Sequence, residues 1–311
     1  MYHRILFTLR RSSTPRCWIL VATGWLLLLL GAAQPLLAGG APRPTVTPNV
    51  VSPTPTPGAL SQNAPQFTNA PVYELSATLP NDDDTYAVTA GDLNGDGALD
   101  LVMGNLGSPN VFYLNDGHGN FDAGTPFGGG ANTYAVAVAD MNGDGNLDII
   151  TGGDQNVIYF NDGHTHFVTQ RTFGDQVSVS LAVGDIDGDG DFDLIAGIQV
   201  WRNDGHGQLT ATTTVPVGNP QLVDFDNDGD LDLVGVVSND HPLVVFYTND
   251  GAGAFTPLDN IPLSSPSSVP NAVALGDLDA DGRLDLVLAT TPIYADTLEK
   301  AELFLYRKHG P

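Results

Sequence analysis

Oxygen-bearing side chains recur at alternate positions of a nine-residue stretch, and this stretch carries the chemistry that the sequence displays most plainly. The first copy is Asp92-Leu93-Asn94-Gly95-Asp96-Gly97-Ala98-Leu99-Asp100. Four further copies read DMNGDGNLD from 140, DIDGDGDFD from 185, DFDNDGDLD from 224 and DLDADGRLD from 277. We number the positions of each copy 1 to 9 and name the copies loop 1 to loop 5 in chain order. Carboxylate and amide oxygens at this density are typical ligands of a hard divalent cation.

Four positions of each loop carry a side-chain oxygen, and these side chains are the candidate metal ligands. Position 6 is glycine in all five loops, which suits a chain that turns sharply around an ion. Position 7 varies among Ala, Asn, Asp and Arg, as expected where only the backbone carbonyl binds. The predicted ligands at positions 1, 3, 5 and 9 are Asp92, Asn94, Asp96, Asp100, Asp140, Asn142, Asp144, Asp148, Asp185, Asp187, Asp189, Asp193, Asp224, Asp226, Asp228, Asp232, Asp277, Asp279, Asp281 and Asp285.

The donor set indicates Ca²⁺, with one site in each of the five loops. Zinc favours His and Cys ligands, and magnesium is rarely held in a cage made only of protein groups. An EF-hand is excluded because position 12 lacks a bidentate Glu; Met103 and Thr151 stand there after loops 1 and 2. Loops 3 to 5 offer four carboxylates each and loops 1 and 2 offer three, so we expect weaker calcium binding in loops 1 and 2.

The net charge of the chain limits which classes of partner it can bind. The formal net charge is -25, and the acid is 33 Asp against only three Glu. Such acidity makes nucleic acid and anionic membrane surfaces unsuitable partners.

Cys17 is the only cysteine, so the chain cannot form an internal disulfide. An exported protein without disulfides needs another source of stability, and bound metal can provide it.

Short β-strands must position the loops. Position 1 recurs at intervals of 48, 45, 39 and 53 residues, a period typical of propeller blades. An apolar strand leads into each loop, a second strand leaves it, and a third follows; apolar position 8 is expected to pack into the core. In the first four units an Asn-Asp-Gly turn then leads to a fourth strand. No amphipathic helical pattern follows residue 66, so the sequence predicts an all-β fold.

The five loops closely resemble the calcium loops of FG-GAP/VCBS-type repeats, which form the blades of integrin-α-like propellers. The resemblance covers roughly residues 67 to 311, and the match is nearer the VCBS branch because no clear Phe-Gly…Gly-Ala-Pro phrase is present. It implies a β-propeller of four-stranded blades, with each calcium loop joining the first and second strands of its blade. It also implies that a ligand is engaged at the opposite end of the blades.

The two ends of the repeat region predict how the propeller closes. The last unit stops at the turn into its fourth strand, and 67–79 resembles a fourth strand without a unit of its own. One blade that shares strands from both ends would use both, giving five blades and no open sheet edge. The alternatives are an open arc, or part of a larger ring completed by another chain.

The N-terminal part predicts the compartment. Residues 1–40 combine basic residues with an apolar run and are interpreted as a signal peptide or an N-terminal membrane anchor. Residues 41–65 form a Pro/Thr-rich linker, and 66–311 form the propeller. We therefore expect a secreted or cell-surface anchored protein that contacts a membrane only through that anchor.

Two functions fit this organisation. The first is a calcium-stabilised binding or adhesion module, a monomer that recognises an extracellular glycan or protein. Its ligand would meet the variable loops opposite the calcium loops, and Tyr294, Asp296 and Glu299 in the longest of these are the candidate contacts. The alternative is a polysaccharide hydrolase or lyase, which would need two free carboxylates roughly 5–10 Å apart at the axis. The sequence shows no catalytic constellation, so it favours the binding module.

Overall fold

The regular structure of this chain is built from β-strands. The computed structural model describes residues 4–5, 20–22, 25–27, 78–79, 83–237, 243–258, 261–262, 268–278, 283–292 and 302–306. Within these ranges no helix occurs, and hence none that is long and apolar enough to cross a membrane. The chain divides into two units; Met1–Ala32 with Pro80–Pro311 forms the first, and Ala33–Leu79 forms the second.

All described strands belong to the first unit. They are β1 (Arg4–Ile5), β2 (Leu20–Ala22), β3 (Trp25–Leu27), β4 (Thr85–Gly91), β5 (Asp100–Asn105), β6 (Asn110–Tyr113), β7 (Thr125–Phe127), β8 (Thr133–Ala139), β9 (Asp148–Gly153), β10 (Val157–Phe160), β11 (Thr169–Thr172), β12 (Leu181–Gly184), β13 (Asp193–Ala196), β14 (Gln199–Asn203), β15 (Leu209–Thr214), β16 (Gly218–Val223), β17 (Asp232–Val237), β18 (Leu243–Thr248), β19 (Thr256–Pro257), β20 (Ile261–Pro262), β21 (Ser268–Gly276), β22 (Asp285–Pro292) and β23 (Glu302–Tyr306).

Five of the sheets repeat one antiparallel plan, and we number them as blades 1 to 5. The first three are β4-β5-β6-β7, β8-β9-β10-β11 and β12-β13-β14-β15. Blade 4 is β16-β17-β18-β19, with β20 also paired to β18, and blade 5 contains β21-β22-β23. Each loop joins the first and second strands of its blade, and position 9 is the first residue of the second strand. The predicted all-β fold of four-stranded propeller blades is confirmed.

The core lies between consecutive blades. Each strand alternates its side chains between two faces, so a blade packs against a neighbour on either side. One cluster joins blades 1 and 2 through residues such as Val102 and Ile149, and similar clusters join blades 2 to 3, 3 to 4 and 4 to 5. Val102, Ile149, Leu194 and Leu233 on the second strands are fully buried.

Blade 5 takes its outermost strand from the N-terminal end of the chain. The two-residue strand β1 pairs antiparallel with β23, with Arg4 opposite Phe304. The strand predicted for this place, 67–79, falls outside the described residues except for 78–79, which are not in a strand. Closure by that segment, and the five-bladed ring it implies, therefore stay predictions.

In loops 1 to 3 the apolar residue at position 2 is more deeply buried than the apolar residue at position 8, whereas in loop 5 Leu278 at position 2 is 52% exposed. Leu93, Met141 and Ile186 at position 2 of loops 1 to 3 are almost completely buried. Position 8 was predicted to enter the core, but Leu99 is 58% exposed and Phe192 is 42% exposed. That prediction is wrong for loops 1 and 3. In these loops position 2 supplies the buried apolar side chain, with Leu93 2% and Ile186 1% exposed.

Candidate metal centre

The backbone of each loop is wrapped around the carboxylate at position 1. In loop 1 the amides of Gly95 and Asp96 donate to Asp92 Oδ1 at 2.8 and 3.1 Å, and the amide of Gly97 donates to Asp92 Oδ2 at 2.8 Å. Loops 2, 3 and 4 repeat the bonds from positions 4 and 6. The short Asp side chain therefore fixes the turn of its loop.

Position 6 needs glycine for a conformational reason. Gly97, Gly145, Gly190 and Gly229 have φ between +88° and +101°, in the left-handed region that other residues rarely adopt. Position 4 is also left-handed, and Asn227 takes this conformation in loop 4 with φ +65°. Asn is among the few residues that tolerate it, which explains how loop 4 departs from glycine and keeps the turn.

The carboxylate at position 9 is buried and holds both ends of the loop. Asp148 is fully buried; its Oδ2 accepts the Met141 amide at 2.9 Å, and its Oδ1 accepts the Asn161 amide at 2.9 Å. Loops 1, 3 and 4 have the same pair of bonds. Position 9 thus connects its own loop with the Asn-Asp-Gly turn at the same end of the blade.

Burial makes the negative charge at position 9 costly. It raises the pKa of Asp148 and of Asp193 to about 6, although two backbone amides act in the opposite direction. Burial also raises the pKa of Asp100 and Asp232. A carboxylate that is desolvated beside other carboxylates is stabilised in its charged form by a nearby cation.

Loops 3 and 4 bring three carboxylates together. Oxygens of Asp185, Asp187 and Asp193 lie within 4.8 Å of one another, and loop 4 has the corresponding group Asp224, Asp226 and Asp232. These are positions 1, 3 and 9 of the predicted ligand set. The position-5 side chains of these loops, Asp189 and Asp228, instead accept the position-7 amide at 3.0 Å and lie outside both groups.

Loops 1 and 2 differ because position 3 is an amide. Asn94 donates its side-chain N–H to Asp96 at 2.9 Å, and Asn142 donates to Asp144 at 3.0 Å. The Asn side chain therefore hydrogen-bonds the position-5 carboxylate within its own loop. In loops 3 and 4 position 3 is Asp instead, which adds a further negative charge. In loop 5, Asp279 and Asp281 lie outside the described residues, and Leu278 donates its amide to Asp285 at 3.3 Å.

One carboxylate oxygen in loop 3 has the character of a free metal ligand. Asp187 Oδ1 is buried and has no hydrogen-bond partner, while Oδ2 of the same residue lies 3.0 Å from Arg202 Nη1. An unpartnered buried carboxylate oxygen is costly unless another group binds it. Together with the oxygen-only donors around it, this atom fits a calcium ion held by loop 3.

The asparagine of each Asn-Asp-Gly turn is a structural residue that the sequence pattern did not reveal. Asn161 donates one N–H to Leu147 O at 3.0 Å in its own loop and another to Leu93 O at 2.7 Å in the preceding blade. Asn203 and Asn249 do the same one and two blades further on. The signal in the sequence is that this Asn recurs in the turns of the first four units, where an Asn-Asp-Gly turn already accounts for it.

A polar cleft lies at the end of the blades opposite the loops. Its volume is about 250 Å³, and its lining residues are Asp154, Gln155, Asn156, Thr172, Gly174, Asp175 and Gln176. Thr172 ends β11, and the other lining residues belong to the β9–β10 and β11–β12 connections. Asn156 ties the two connections together, since its side chain accepts the Gly153 amide at 3.2 Å and donates to Gln176 O at 2.8 Å. The predicted contacts Tyr294, Asp296 and Glu299 lie outside the described residues.

Solved structures provide distant similarities. The crystal structure of the V. cholerae biofilm matrix protein Bap1 matches with 21% identity and a TM-score of 0.44 over 72% of this chain, which spans only 38% of Bap1. BBS1N, crystallised in complex with ARL6DN, matches with 13% identity and a TM-score of 0.41 over 67% of this chain and 77% of its own. Among curated proteins none matches.

A family model gives the more specific result. The FG-GAP-like repeat model matches residues 92–151 and 224–288. Each matched region begins at position 1 of a loop, so the model recognises the same unit as the carboxylate pattern. Two regions of the chain are therefore similar to FG-GAP-like repeats, at the loops that carry the resemblance in the sequence.

Proposed function

We propose that this protein is a calcium-stabilised binding module that recognises an extracellular glycan or protein through the loop ends opposite its metal loops. Calcium binding is supported best by the cluster of three carboxylates in loop 3, in which Asp187 Oδ1 is buried without a hydrogen-bond partner. Side chains at positions 1, 3, 5 and 9, with the carbonyl at position 7, would hold the ion. Calcium accepts six to eight oxygen ligands of this kind.

Calcium in these loops would act on stability. The ion would supply the positive charge that the buried position-9 carboxylates lack. In blades 2 to 4, position 9 also holds the turn asparagine, and that asparagine bonds the preceding blade. An ion in loop 2, 3 or 4 would therefore stabilise a junction between blades as well as its own loop. Metal binding that requires the folded loop adds its free energy to folding.

The ligand part of the proposal rests on the cleft between the β9–β10 and β11–β12 connections. Gln155, Asp175 and Gln176 line it with exposed amide and carboxylate groups, which suit a hydroxyl-rich ligand such as a glycan. Asn156 is buried beneath them and fixes both connections, so these groups stand on a rigid base. Connections that vary between blades are where specificity resides.

A glycan array in calcium and in EDTA tests this function. We expect binding without turnover in calcium, and loss of that binding in EDTA as the blades lose their metal. Release of cleaved sugar would instead support the hydrolase or lyase. Secretion or display at the cell surface, where calcium is abundant, belongs to the same proposal and is tested by fractionating the native cells.

A further inference from the structure

Among loops 1 to 4, which the structure describes in full, loop 3 has an arginine against one of its carboxylates. Arg202 Nη1 lies 3.0 Å from Asp187 Oδ2, and Asp187 is only 11% exposed. Arg202 Nη2 also donates to the backbone carbonyl of Ala252 in the next blade. Starting from the calcium function proposed above, we propose that Arg202 is a built-in counter-cation that lowers the calcium affinity of loop 3.

Within blades 1 to 4, the position of Arg202 in the repeat makes loop 3 distinct. Arg202 is the residue immediately before the turn asparagine, and the corresponding residues in blades 1, 2 and 4 are Leu114, Phe160 and Thr248. None of these three carries a charge. Loop 4 offers the same four predicted carboxylate ligands as loop 3, so loop 4 with Thr248 is an internal reference for loop 3 with Arg202.

Two opposite effects of Arg202 on calcium binding can be compared. The ion pair orients Asp187 and leaves its Oδ1 free. Because this side chain is already ordered, calcium binding does not have to order it, which raises the affinity by about threefold at most. The guanidinium also neutralises Oδ2 and repels a divalent ion in the same site, an effect of about tenfold or more for partly buried charges. The charge effect is the larger, so loop 3 should fill after loop 4.

The second contact of Arg202 gives this loop a role without calcium. Through Asp187 and Ala252 O, the guanidinium joins loop 3 to the turn of blade 4. The Arg202 guanidinium therefore stays beside loop 3 at all calcium concentrations. Calcium would occupy loop 3 only at higher calcium concentrations. Removing Arg202 should weaken the calcium-free protein and strengthen its response to calcium.

Site-resolved titration of the full ¹⁵N-labelled protein with CaCl₂ tests the inference. The amide of the position-6 glycine donates to the position-1 carboxylate in loops 1 to 4, so the Gly190 resonance reports loop 3 and the Gly229 resonance reports loop 4. In the natural protein we expect Gly190 to reach half-saturation at about tenfold more calcium than Gly229. In Arg202→Leu, and in Arg202→Thr as a second variant, the Gly190 midpoint should fall by about the same factor while Gly229 stays unchanged.

Arg171→Leu is the matched control. Arg171 donates to His206 O at 3.1 Å, the carbonyl that corresponds to Ala252 O one blade earlier, but its guanidinium lies over the Phe160 ring. This variant removes the same charge and the same kind of turn contact, and both glycine midpoints should stay in place. An unchanged or raised Gly190 midpoint in both Arg202 variants overturns the inference while calcium binding stands. If neither glycine responds to calcium, the proposed calcium function itself is wrong.

Discussion

Asn203 donates its side-chain amide to the backbone carbonyl of Met141 at 2.8 Å, across 62 residues of sequence. The same amide donates to Phe192 O at 3.1 Å, and the Asn203 backbone N–H donates to Asp193 Oδ1 at 2.8 Å. One residue thus joins the loop of blade 2, the loop of blade 3 and the turn of blade 3. This arrangement links the carboxylate loops to the packing of the blades.

Asn203→Ala should destabilise the protein strongly. The substitution leaves the Met141 and Phe192 carbonyls without their donors in a buried place, which costs about 2–4 kcal/mol of unfolding free energy in total. Urea denaturation followed by circular dichroism measures this loss. Asn120→Ala is the control, because Asn120 is exposed and bonds only locally to Asp116 at 2.8 Å. Equal losses in the two variants would contradict the role of Asn203 between blades.

Gly190→Ala should cost about 1–2 kcal/mol through backbone conformation alone. Gly190 has φ +95°, and an added Cβ would meet no atom within 4 Å, so crowding does not contribute. Gly129→Ala is matched, since its Cβ also meets nothing within 4 Å and its φ is not left-handed. Denaturation of both variants in EDTA gives the comparison. A Gly190 variant as stable as the Gly129 variant would show that the turn does not require glycine.

Without metal, the protein should lose stability as the pH rises from about 4 to above 6. Burial raises the pKa of Asp148 and of Asp193 to about 6 in the folded protein, above the ordinary aspartate value of 3.8, so folding favours their protonated forms. This contribution is complete below the unfolded pKa and is lost as the pH passes through the folded pKa. The turn carboxylates Asp204 and Asp250 have lowered pKa values and titrate below this window.

Melting temperatures in EDTA at pH 5 and pH 7 measure this effect. The melting temperature should be lower at pH 7, and added calcium should raise it more at pH 7 than at pH 5, because protons compete with the ion for position 9. Asp148→Asn and Asp193→Asn together should flatten the pH dependence. A metal-free protein that becomes more stable between pH 5 and pH 7 would refute this account of position 9.

Gln155→Ala and Asp175→Ala should weaken ligand binding at the cleft without changing calcium binding. Both residues are exposed lining groups at the end opposite the loops, so their loss removes hydrogen bonds to ligand and leaves the core intact. A loss of about tenfold in affinity for a glycan found on the array corresponds to one good hydrogen bond. Gln208→Ala, an exposed glutamine in the turn of blade 3, is the control at the other end. Unaltered binding in both cleft variants would place the ligand elsewhere.

Local features of this protein were predictable from sequence because their causes are local. The alternate oxygens of 92–100 and the glycine at position 6 follow from the geometry of a chain that turns around one centre, and the repeat interval predicted the blades. The contacts of Asn203 and Arg202 were not predictable, because they join residues in different blades and depend on how the sheets pack. Position 8 was misassigned for the same reason, since an apolar residue at a loop end has no periodicity to show which way it faces.

Removal of calcium tests the central claim most directly. At about 10 mM calcium, extracellular-type sites with dissociation constants of about 10⁻⁴–10⁻³ M each add about 1–3 kcal/mol to stability. Summed over several loops, this should raise the melting temperature by at least about 10 °C relative to EDTA in scanning calorimetry. A melting temperature that is the same in calcium and in EDTA would contradict the account.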